Sequence, residues 1–331
     1  MTRKATATDV ALEAGVSKWT VGRAFTPGSS IAKQSRERVM EAADKLGYRP
    51  NLLARSLSTK STHQVAVLVD DFGNLYKLRV LALLTSALQA EGMVAMLINI
   101  DSDSDPAHAF LIADQRQVDA VVLVGTAFPD ETLRENAMKT GSPQLFVLGR
   151  ESTIDAIPAV SCDAEASMQE IGKYLLEKGY RRPGFMSGPR TLSTVLGRQS
   201  HFAAFWSSHG VASVPELAVG SYNWHTAAEA LRSYLKATPA EQRIDVLMCE
   251  NDDLALGAIG VARSEFGLRV PEDLAVVGYD GNDLVEAPTL HLTTYEQPMK
   301  EMVTVLVDML MGRRAAESMN VPGKFIVRSS T

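Results

Sequence analysis

The sequence is poor in cysteine and lacks segments that would carry the chain into or through a membrane. Only Cys162 and Cys249 occur among 331 residues, too few for the disulfide framework of a small secreted domain. No run of about 18 apolar residues is present, and residues 1–7 are polar where a secretory leader would be apolar. We therefore expect a cytoplasmic protein that does not contact a membrane.

The motifs of nucleotide-dependent and hydrolytic enzymes are also missing. The sequence has no Gly-x-Gly-x-x-Gly after a strand, no Gly-x-x-x-x-Gly-Lys-Ser/Thr and no Gly-x-Ser-x-Gly. His201 and His209 have no neighbouring pair of metal ligands. The acidic run Asp101, Asp103 and Asp105 lacks the later Gly and Glu of a calcium loop. We expect no catalytic residue, no cofactor and no metal site, and hence a protein that is not an enzyme.

The sequence does have abundant apolar residues and an uneven charge. Hydrophobic residues make up 46% of the chain, which at this length predicts two or three cores. Residues 1–63 contain 11 Lys and Arg against 5 Asp and Glu, a balance of +6, whereas the remaining residues have a balance of −12. A basic head on an acidic body indicates that the head alone binds a polyanion. The alternative is a basic surface without such a partner.

Residues 6–24 carry the signals of two short helices joined by a tight turn. Thr6 and Asp9 have the spacing of a capping box, Gly15 can end the first helix, and Ser17 can cap a second helix that runs to about Ala24. Such a pair is a helix-turn-helix. A third helix is predicted over residues 33–46, and residues 51–57 that follow are too few for a stable isolated helix.

The second helix has a polar face that suits DNA. Its outward-facing side chains are predicted to be Lys18, Trp19, Thr20 and Arg23. Cations, a hydroxyl and an aromatic ring can position a helix on phosphates and contact base edges in a major groove. An ordinary helical hairpin that does not bind DNA is the alternative.

From residue 64 onward, short apolar runs alternate with amphipathic helices. Such runs lie at 65–69, 94–98, 118–124 and 144–148, and a second series begins near Asp163, with runs at 183–187, 216–220, 244–249 and 274–278. The alternation predicts two α/β units, each with a doubly wound parallel sheet. A ligand would bind between them, where strands end.

Polar side chains follow the first of these strands. Asp70, Asn74 and Tyr76 stand where side chains reach the predicted ligand site. Carboxylates, amides and an aromatic ring suit a polyhydroxylated ligand, because they supply directional hydrogen bonds and a surface for an apolar sugar face. Loop capping or contact with solvent is the alternative role for each residue.

The head contains a series of ordered motifs, with a departure at Gly22. They are Thr8-Asp9-Val10-Ala11, Ala14-Gly15-Val16-Ser17, Thr20-Val21-Gly22-Arg23-Ala24, Leu46-Gly47-Tyr48-Arg49-Pro50-Asn51 and Ala54-Arg55-Ser56-Leu57. The series closely resembles the head of the LacI/GalR family of bacterial transcription regulators, which usually has Ser at the position of Gly22. The resemblance implies that the stretch after Asn51 is a hinge that becomes helical on operator DNA. Leu57 would then be an apolar wedge in the minor groove, with Ala54 as its small neighbour. The expected DNA contacts are Thr6, Ser17, Lys18, Trp19, Thr20, Arg23, Asn51, Ala54 and Leu57.

The body resembles the effector domain of the same family along nearly its whole length. The matching motifs are Gly179-Tyr180-Arg181-Arg182, Cys249-Glu250-Asn251-Asp252-Asp253 and Val276-Val277-Gly278-Tyr279-Asp280. The resemblance implies effector contacts at Asp163, Arg198, Tyr222, Asn251, Asp280 and Gln297, in addition to Asp70, Asn74 and Tyr76.

These features predict an α/β protein with a helix-turn-helix head. The expected domains are 1–50 for DNA binding, 51–63 for the hinge and linker, and 64–331 for effector binding and dimerisation. Within the last domain we expect one lobe over about 64–162 with part of 293–331, and a second over about 163–292. Because the sequence ends at Thr331 without a heptad-bearing tail, a homodimer rather than a tetramer is expected.

The expected function is repression of transcription under the control of a small molecule. The effector, a sugar or sugar derivative, would bind between the lobes and shift their relative angle, and with it the affinity for a two-fold symmetric operator. A nucleobase or nucleoside effector is the first alternative. A solute-binding protein for transport is the alternative from another class of function.

Overall fold

The chain folds into two compact units, Met1–Thr62 and His63–Thr331. The structure, a computed structural model, describes residues 4–26, 28–50, 61–100, 106–189, 196–282, 285 and 291–331. The expected DNA contacts Asn51, Ala54 and Leu57 lie outside the described residues.

The first unit contains the three predicted helices, α1 (Ala7–Ala14), α2 (Lys18–Ala24) and α3 (Lys33–Leu46). The capping box at Thr6 is confirmed, since its hydroxyl accepts from Asp9 N and its N–H donates to the Asp9 carboxylate at 2.8 Å. Gly15 ends α1 with φ 62°, a left-handed conformation that glycine adopts without a steric penalty. Val10, Val21 and Val39, one from each helix, are buried together in the core of this unit.

The second unit begins with alternating strands and helices. These elements are β1 (Gln64–Asp70), α4 (Leu75–Ala90), β2 (Val94–Ile100), α5 (Pro106–Gln115), β3 (Ala120–Val124), α6 (Asp130–Met138), β4 (Gln144–Leu148) and β5 (Ala159–Cys162). The β1 segment from Val65 to Val69 is completely buried. Continuous burial of this kind is typical of a parallel sheet that is covered by helices on both faces.

The same alternation continues through the second series. Its elements are α7 (Ala164–Glu177), β6 (Pro183–Ser187), α8 (Arg198–Ser208), β7 (Glu216–Ala218), α9 (Trp224–Ala237), β8 (Val246–Cys249), α10 (Asp252–Ser264), β9 (Ala275–Asp280) and β10 (Thr293–Glu296). A 3₁₀ turn at Ala240–Gln242 precedes β8. The last elements are α11 (Met299–Leu310), β11 (Met319–Val321) and β12 (Lys324–Ile326).

The strands form two six-stranded sheets, one in each lobe. The first has the order β11-β5-β4-β3-β1-β2 and is parallel throughout. The second has the order β12-β10-β9-β8-β6-β7, and β12 is its antiparallel strand. The two sheets, parallel apart from β12, confirm the predicted fold class, and they bring the carboxyl ends of their parallel strands to the edges where ligands bind in α/β proteins.

The structure corrects the predicted boundary between the lobes. Strands β10 and β12 belong to the second sheet, so the second lobe extends past the expected limit at residue 292. Helix α11 contacts α4, β4 and β5 and therefore belongs to the first lobe. The chain thus crosses between the lobes more often than the sequence patterns indicate.

Some elements were not predicted. Helix α6 has a single buried side chain, that of Leu133, and β5 has only four residues. Neither element therefore gives a clear apolar pattern in the sequence. Among the described residues, no helix combines the length and the apolar character needed to cross a bilayer.

Candidate functional site

Helix α2 carries an exposed polar surface on the first unit. Lys18 and Trp19 are exposed, and the Arg23 guanidinium lies 4.4 Å from the centre of the Trp19 ring. The opposite side of α2 buries Val21 and Ala24 in the core. The helix therefore presents cations and an aromatic ring without needing them for its own packing.

Two of the expected DNA contacts have structural roles as helix caps. The Thr6 hydroxyl donates to the Asp9 carboxylate at 2.7 Å and accepts from Asp9 N at 3.3 Å. The Ser17 hydroxyl accepts from Thr20 N at 3.1 Å and shares a hydrogen bond with the Thr20 hydroxyl at 2.9 Å. The Thr6 and Ser17 hydroxyls thus cap the first turns of α1 and α2.

The second unit contains a cleft at the ends of strands from both of its lobes. Including its open mouth, the cleft has a volume of about 480 Å³, which is within the range of small-molecule sites. Seven of the nine expected effector contacts line it, namely Asn74, Tyr76, Arg198, Tyr222, Asn251, Asp280 and Gln297. Side chains from distant parts of the sequence therefore meet in one site.

The other two expected contacts, Asp70 and Asp163, do not line the cleft. The Asp70 carboxylate accepts from Thr126 N and Ala127 N, each at 2.7 Å, and from the Lys77 ammonium. Asp163 caps α7 by accepting from the backbone N–H at position 166 at 2.8 Å. Asp163 therefore fits the alternative of loop capping, whereas Asp70 is held by the loop after β3 and by Lys77.

Arg198 lies at the centre of the charged part of the cleft. Its Nη1 donates to the Glu250 carbonyl at 2.6 Å and lies 3.8 Å from Asp280 Oδ1. Its guanidinium also covers the Tyr279 ring at 3.8 Å, a cation–π contact that is favourable where water is excluded. Arg198 is thereby fixed in one orientation.

Asp280 has an unusual environment for a carboxylate. Burial raises its pKa to about 7, although the Arg198 charge and the Gln297 hydrogen bond oppose the shift. Its backbone has φ 113°, a conformation that non-glycine residues rarely adopt outside functional sites. Asp280 can therefore accept or donate hydrogen bonds near neutral pH.

A chain of hydrogen bonds joins the two lobes within the cleft. The Tyr76 hydroxyl donates to Gln297 Oε1 at 3.1 Å, and Gln297 Nε2 donates to Asp280 Oδ1 at 2.7 Å. Nearby, Arg79 of α4 donates to the Gly281 carbonyl at 3.1 Å. A ligand that enters here must compete with or add to these contacts.

Tyr222 is positioned by its neighbours. Its hydroxyl donates to Glu250 Oε2 at 3.0 Å, and the same oxygen accepts from Gly188 N at 2.6 Å. A Cβ atom at Gly188 would stand 2.1 Å from the Tyr222 ring, so a larger residue here would displace the ring. The ring is left as an apolar surface in the cleft.

The cleft also contains charged residues that the sequence analysis missed. Lys77 lies in the first turns of α4, and Arg150 follows the end of β4 by two residues. Arg150 fits the same rule that selected Asp70, namely a polar residue just past a strand. Lys77 carries no such signal, because it lies inside a helix. Among the described residues, no group of three or more His, Cys, Asp and Glu side chains is placed to bind a metal ion.

The helix-turn-helix head and the two-lobed body together define a class of regulatory proteins. Residues 6–51 match the bacterial regulatory proteins of the lacI family. Residues 62–321 match the periplasmic binding proteins and sugar binding domain of the LacI family, which is more than half of the chain. The chain belongs to the LacI family. It is a DNA-binding transcriptional repressor and not an enzyme, as its sequence motifs predicted.

Individual relatives span the whole chain. The HTH-type transcriptional repressor PurR of Klebsiella pneumoniae (strain 342) is 28% identical over 334 aligned residues, which cover 98% of this chain and 96% of PurR. The Lac repressor dimer bound to operator and the anti-inducer ONPF has a TM-score of 0.85 at 21% identity, with 99% of each chain covered. The transcriptional regulator CelR in complex with cellobiose has a TM-score of 0.69 at 25% identity, covering 99% of this chain and 100% of CelR.

Proposed function

We propose that this protein is a homodimeric repressor that binds a two-fold symmetric operator through α2 and responds to a polyhydroxylated small molecule, a sugar or sugar derivative, in the cleft. It would act in the cytoplasm, at the nucleoid. The observation that carries the proposal is the cleft itself, where Arg198, Asn251, Asp280 and Gln297 meet two tyrosine rings at the ends of parallel strands.

The surface of α2 supports DNA binding. Lys18 and Arg23 can contact phosphates or base edges, Thr20 can hydrogen-bond to either, and the Trp19 ring can pack on a thymine methyl group. The stacking of Arg23 on Trp19 keeps the guanidinium close to the helix surface. The further contacts expected at Asn51, Ala54 and Leu57 remain predictions of the family resemblance.

The chemistry of the cleft supports a carbohydrate. Sugars present several hydroxyl groups, each able to donate and accept, together with an apolar ring face. Asp280 and Asn251 offer hydrogen bonds of both kinds, and the Tyr222 ring offers a surface for stacking. CelR, which is similar to this chain over its length, forms a complex with cellobiose.

The contacts between the lobes support an allosteric response. Tyr76 belongs to the first lobe, whereas its partner Gln297 follows a strand of the second sheet. A ligand that hydrogen-bonds to both side chains favours one angle between the lobes over another, and so shifts the population of conformations. Differential affinity of this kind is what allows an effector to change the affinity for DNA.

Exposed apolar side chains on the first lobe support a homodimer. Leu75 and Leu78 on α4 and Val94 and Leu97 on β2 are all at least 40% exposed, and α4 packs against β2. Exposed apolar side chains on two elements that pack together are candidates for a protein interface. Sedimentation should give a dimer, and Leu78→Asp should weaken it.

Two binding experiments test the proposed function. Selection from a random pool of duplexes should give a two-fold symmetric operator, whose binding weakens steeply as salt rises between about 50 and 200 mM. A thermal-shift screen should then show stabilisation by a sugar or sugar derivative. Stabilisation by nucleosides alone would favour the alternative effector, and failure to select any DNA sequence would overturn the proposed function.

A further inference from the structure

Arg150 has the least satisfied charge in the cleft. The residue is 2% exposed. Its Nε donates to the Gly125 carbonyl and its Nη1 to the Glu151 carbonyl at 3.3 Å, but Nη2 is buried without a hydrogen-bond partner within the described part of the chain. A buried guanidinium nitrogen without an acceptor is costly, because its hydration is lost and not replaced.

The other cations of the cleft are compensated. Lys77 forms an ion pair with Asp70, and Arg198 is close to Asp280 and the Tyr279 ring. For Arg150, the structure contains no carboxylate within 4.0 Å among the described residues. One cation of the cleft thus lacks a counter-ion.

Burial is also the dominant influence on the titration of Arg150. It lowers the pKa of the guanidinium to about 10, and the more distant carboxylates of Asp70 and Asp130 only partly oppose it. The group is still protonated at neutral pH. A ligand that closes the cleft must therefore accommodate a full positive charge.

Asn251 provides a second donor without a partner. Its Oδ1 accepts from Leu254 N at 2.9 Å, which orients the amide so that Nδ2 points away from that bond. Nδ2 is buried and has no hydrogen-bond partner in the described structure. The two unsatisfied polar groups that line the cleft are therefore both donors, one charged and one neutral.

We propose that the effector is a carbohydrate carrying one anionic group, whose oxygen accepts from Arg150 Nη2. A hydroxyl or ring oxygen of the same ligand accepts from Asn251 Nδ2. This inference rests on the proposed function, because it specifies the ligand of the same cleft. A charged acceptor is favoured over a sugar hydroxyl, because only an anion also supplies the counter-ion that the buried guanidinium lacks. Both a carboxylate and a phosphate have the required chemistry.

The test compares neutral sugars with their acidic derivatives on the full-length protein by isothermal titration calorimetry. The probes are glucose with glucuronate, gluconate and glucose 6-phosphate, galactose with galacturonate, and cellobiose with cellobionate, plus nucleosides. One of these sugar series should bind, and its acidic member should bind at least about tenfold more tightly than its neutral parent. Comparison of carboxylates with the phosphate identifies the anionic group.

A pair of variants assigns the preference to Arg150. Arg150→Gln keeps an amide donor but removes the charge, so it should abolish the tenfold preference of acid over neutral parent. Arg182→Gln, which removes an exposed guanidinium on the second lobe, should preserve the preference. The wild-type comparison of acid with parent decides the proposal even if Arg150→Gln does not fold.

The outcomes separate this inference from the proposed function. Neutral sugars that bind as tightly as their acids would overturn the anionic effector while leaving a carbohydrate-responsive repressor. Binding of nucleosides alone would overturn both. A preference for the acid that persists in Arg150→Gln would show that another group binds the anion, which also overturns the assignment.

Discussion

The surface of α2 and the cleft of the body place their functional side chains in opposite ways. Lys18 to Arg23 are six consecutive residues of one helix, and their polar side chains are not needed for packing. In the cleft, Tyr76 and Gln297 meet across 221 positions, and Arg198 is buried. The difference teaches that contacts from Lys18, Trp19 and Arg23 should be separable from stability, whereas the cleft contacts should support both stability and ligand binding.

The largest expected effect is in the cleft. In Arg198→Gln, the shorter side chain leaves the Glu250 carbonyl and Asp280 without their buried partner. We expect the free energy of unfolding to fall by about 2–3 kcal/mol. This is less than the cost of breaking a closer buried ion pair, because Arg198 and Asp280 are 3.8 Å apart. Urea unfolding of the body measures the loss, and ligand binding should be abolished.

Arg182→Gln is the matched control on the protein surface. Arg182 also lies 3.8 Å from a carboxylate, that of Asp245, and its Nη1 also donates to a carbonyl, that of Glu241, at 2.7 Å. Its side chain is 53% exposed, so the loss should stay below about 1 kcal/mol. Equal losses in the two variants would contradict the distinct role of the buried pair.

A second test concerns the pH dependence of the cleft. The pKa of Asp280 is about 7 in the folded protein, above its ordinary value of 3.8. Between these values the folded state retains a proton that the unfolded state has lost, so stability is highest at low pH and falls as pH rises to 7. Asp280→Asn should therefore lose less stability than the wild type between pH 5 and pH 8, by on the order of 2–3 kcal/mol.

The control for this test is Asp273→Asn. The side-chain hydrogen bond from Arg269 lowers the pKa of Asp273 from 3.8 to about 2. The contribution of Asp273 to stability is therefore lost only as pH falls from 3.8 to about 2. This variant should not gain stability at pH 8. Burial also raises the pKa of Asp252, so part of the pH dependence should persist in Asp280→Asn. An unchanged difference between pH 5 and pH 8 would contradict the assignment to Asp280.

A third test addresses the head. Arg23→Gln should weaken operator binding by about 1–3 kcal/mol if the guanidinium contacts a base edge, without changing the unfolding of the head. Fluorescence anisotropy with the selected operator and a scrambled duplex at one salt concentration measures the effect. Arg49→Gln removes another exposed cation of the same unit, one that pairs with exposed Asp44, and should lower both affinities equally. A selective loss in Arg49→Gln instead would move the proposed interface away from α2.

The smallest expected effect distinguishes a glycine that its backbone conformation requires from a glycine that has only open space around it. Gly22 and Gly47 both have room for a Cβ atom, with nothing within 4 Å, but only Gly47 has a positive φ, 62°. Gly22→Ala should stabilise α2 by about 0.5–1 kcal/mol, whereas Gly47→Ala should destabilise the head. Hydrogen exchange of the α1 and α3 amides measures the stability of the head in the two variants. Changes of the same sign would contradict the local explanation.

The sequence predicted best what depends on neighbouring residues. The capping box at Thr6 and the helix end at Gly15 are local interactions, and both are present as predicted. Asp70 and Asp163 lie outside the cleft lining because a polar residue after a strand can bind a backbone loop or a ligand, and the pattern is the same. The distinction depends on which backbone N–H groups are nearby in space.

The remaining differences have the same origin in long-range contacts. Strands β10 and β12 pair within the second sheet although the chain visits the first lobe between them, and no local pattern encodes this crossing. Arg150 shows its importance only when the other charges of the cleft and their partners are known. The sequence therefore predicted the fold class and most of the cleft, but not its balance of charge.

The most direct test of the account is the operator affinity of the full-length protein with and without a saturating ligand from the cleft screen. We predict a change of about 5- to 150-fold, corresponding to a coupling of 1–3 kcal/mol, in wild type and in Arg182→Gln. The change should be absent in Arg198→Gln. If a ligand that binds the wild-type cleft leaves its operator affinity unchanged, the cleft does not control DNA binding and the account is wrong.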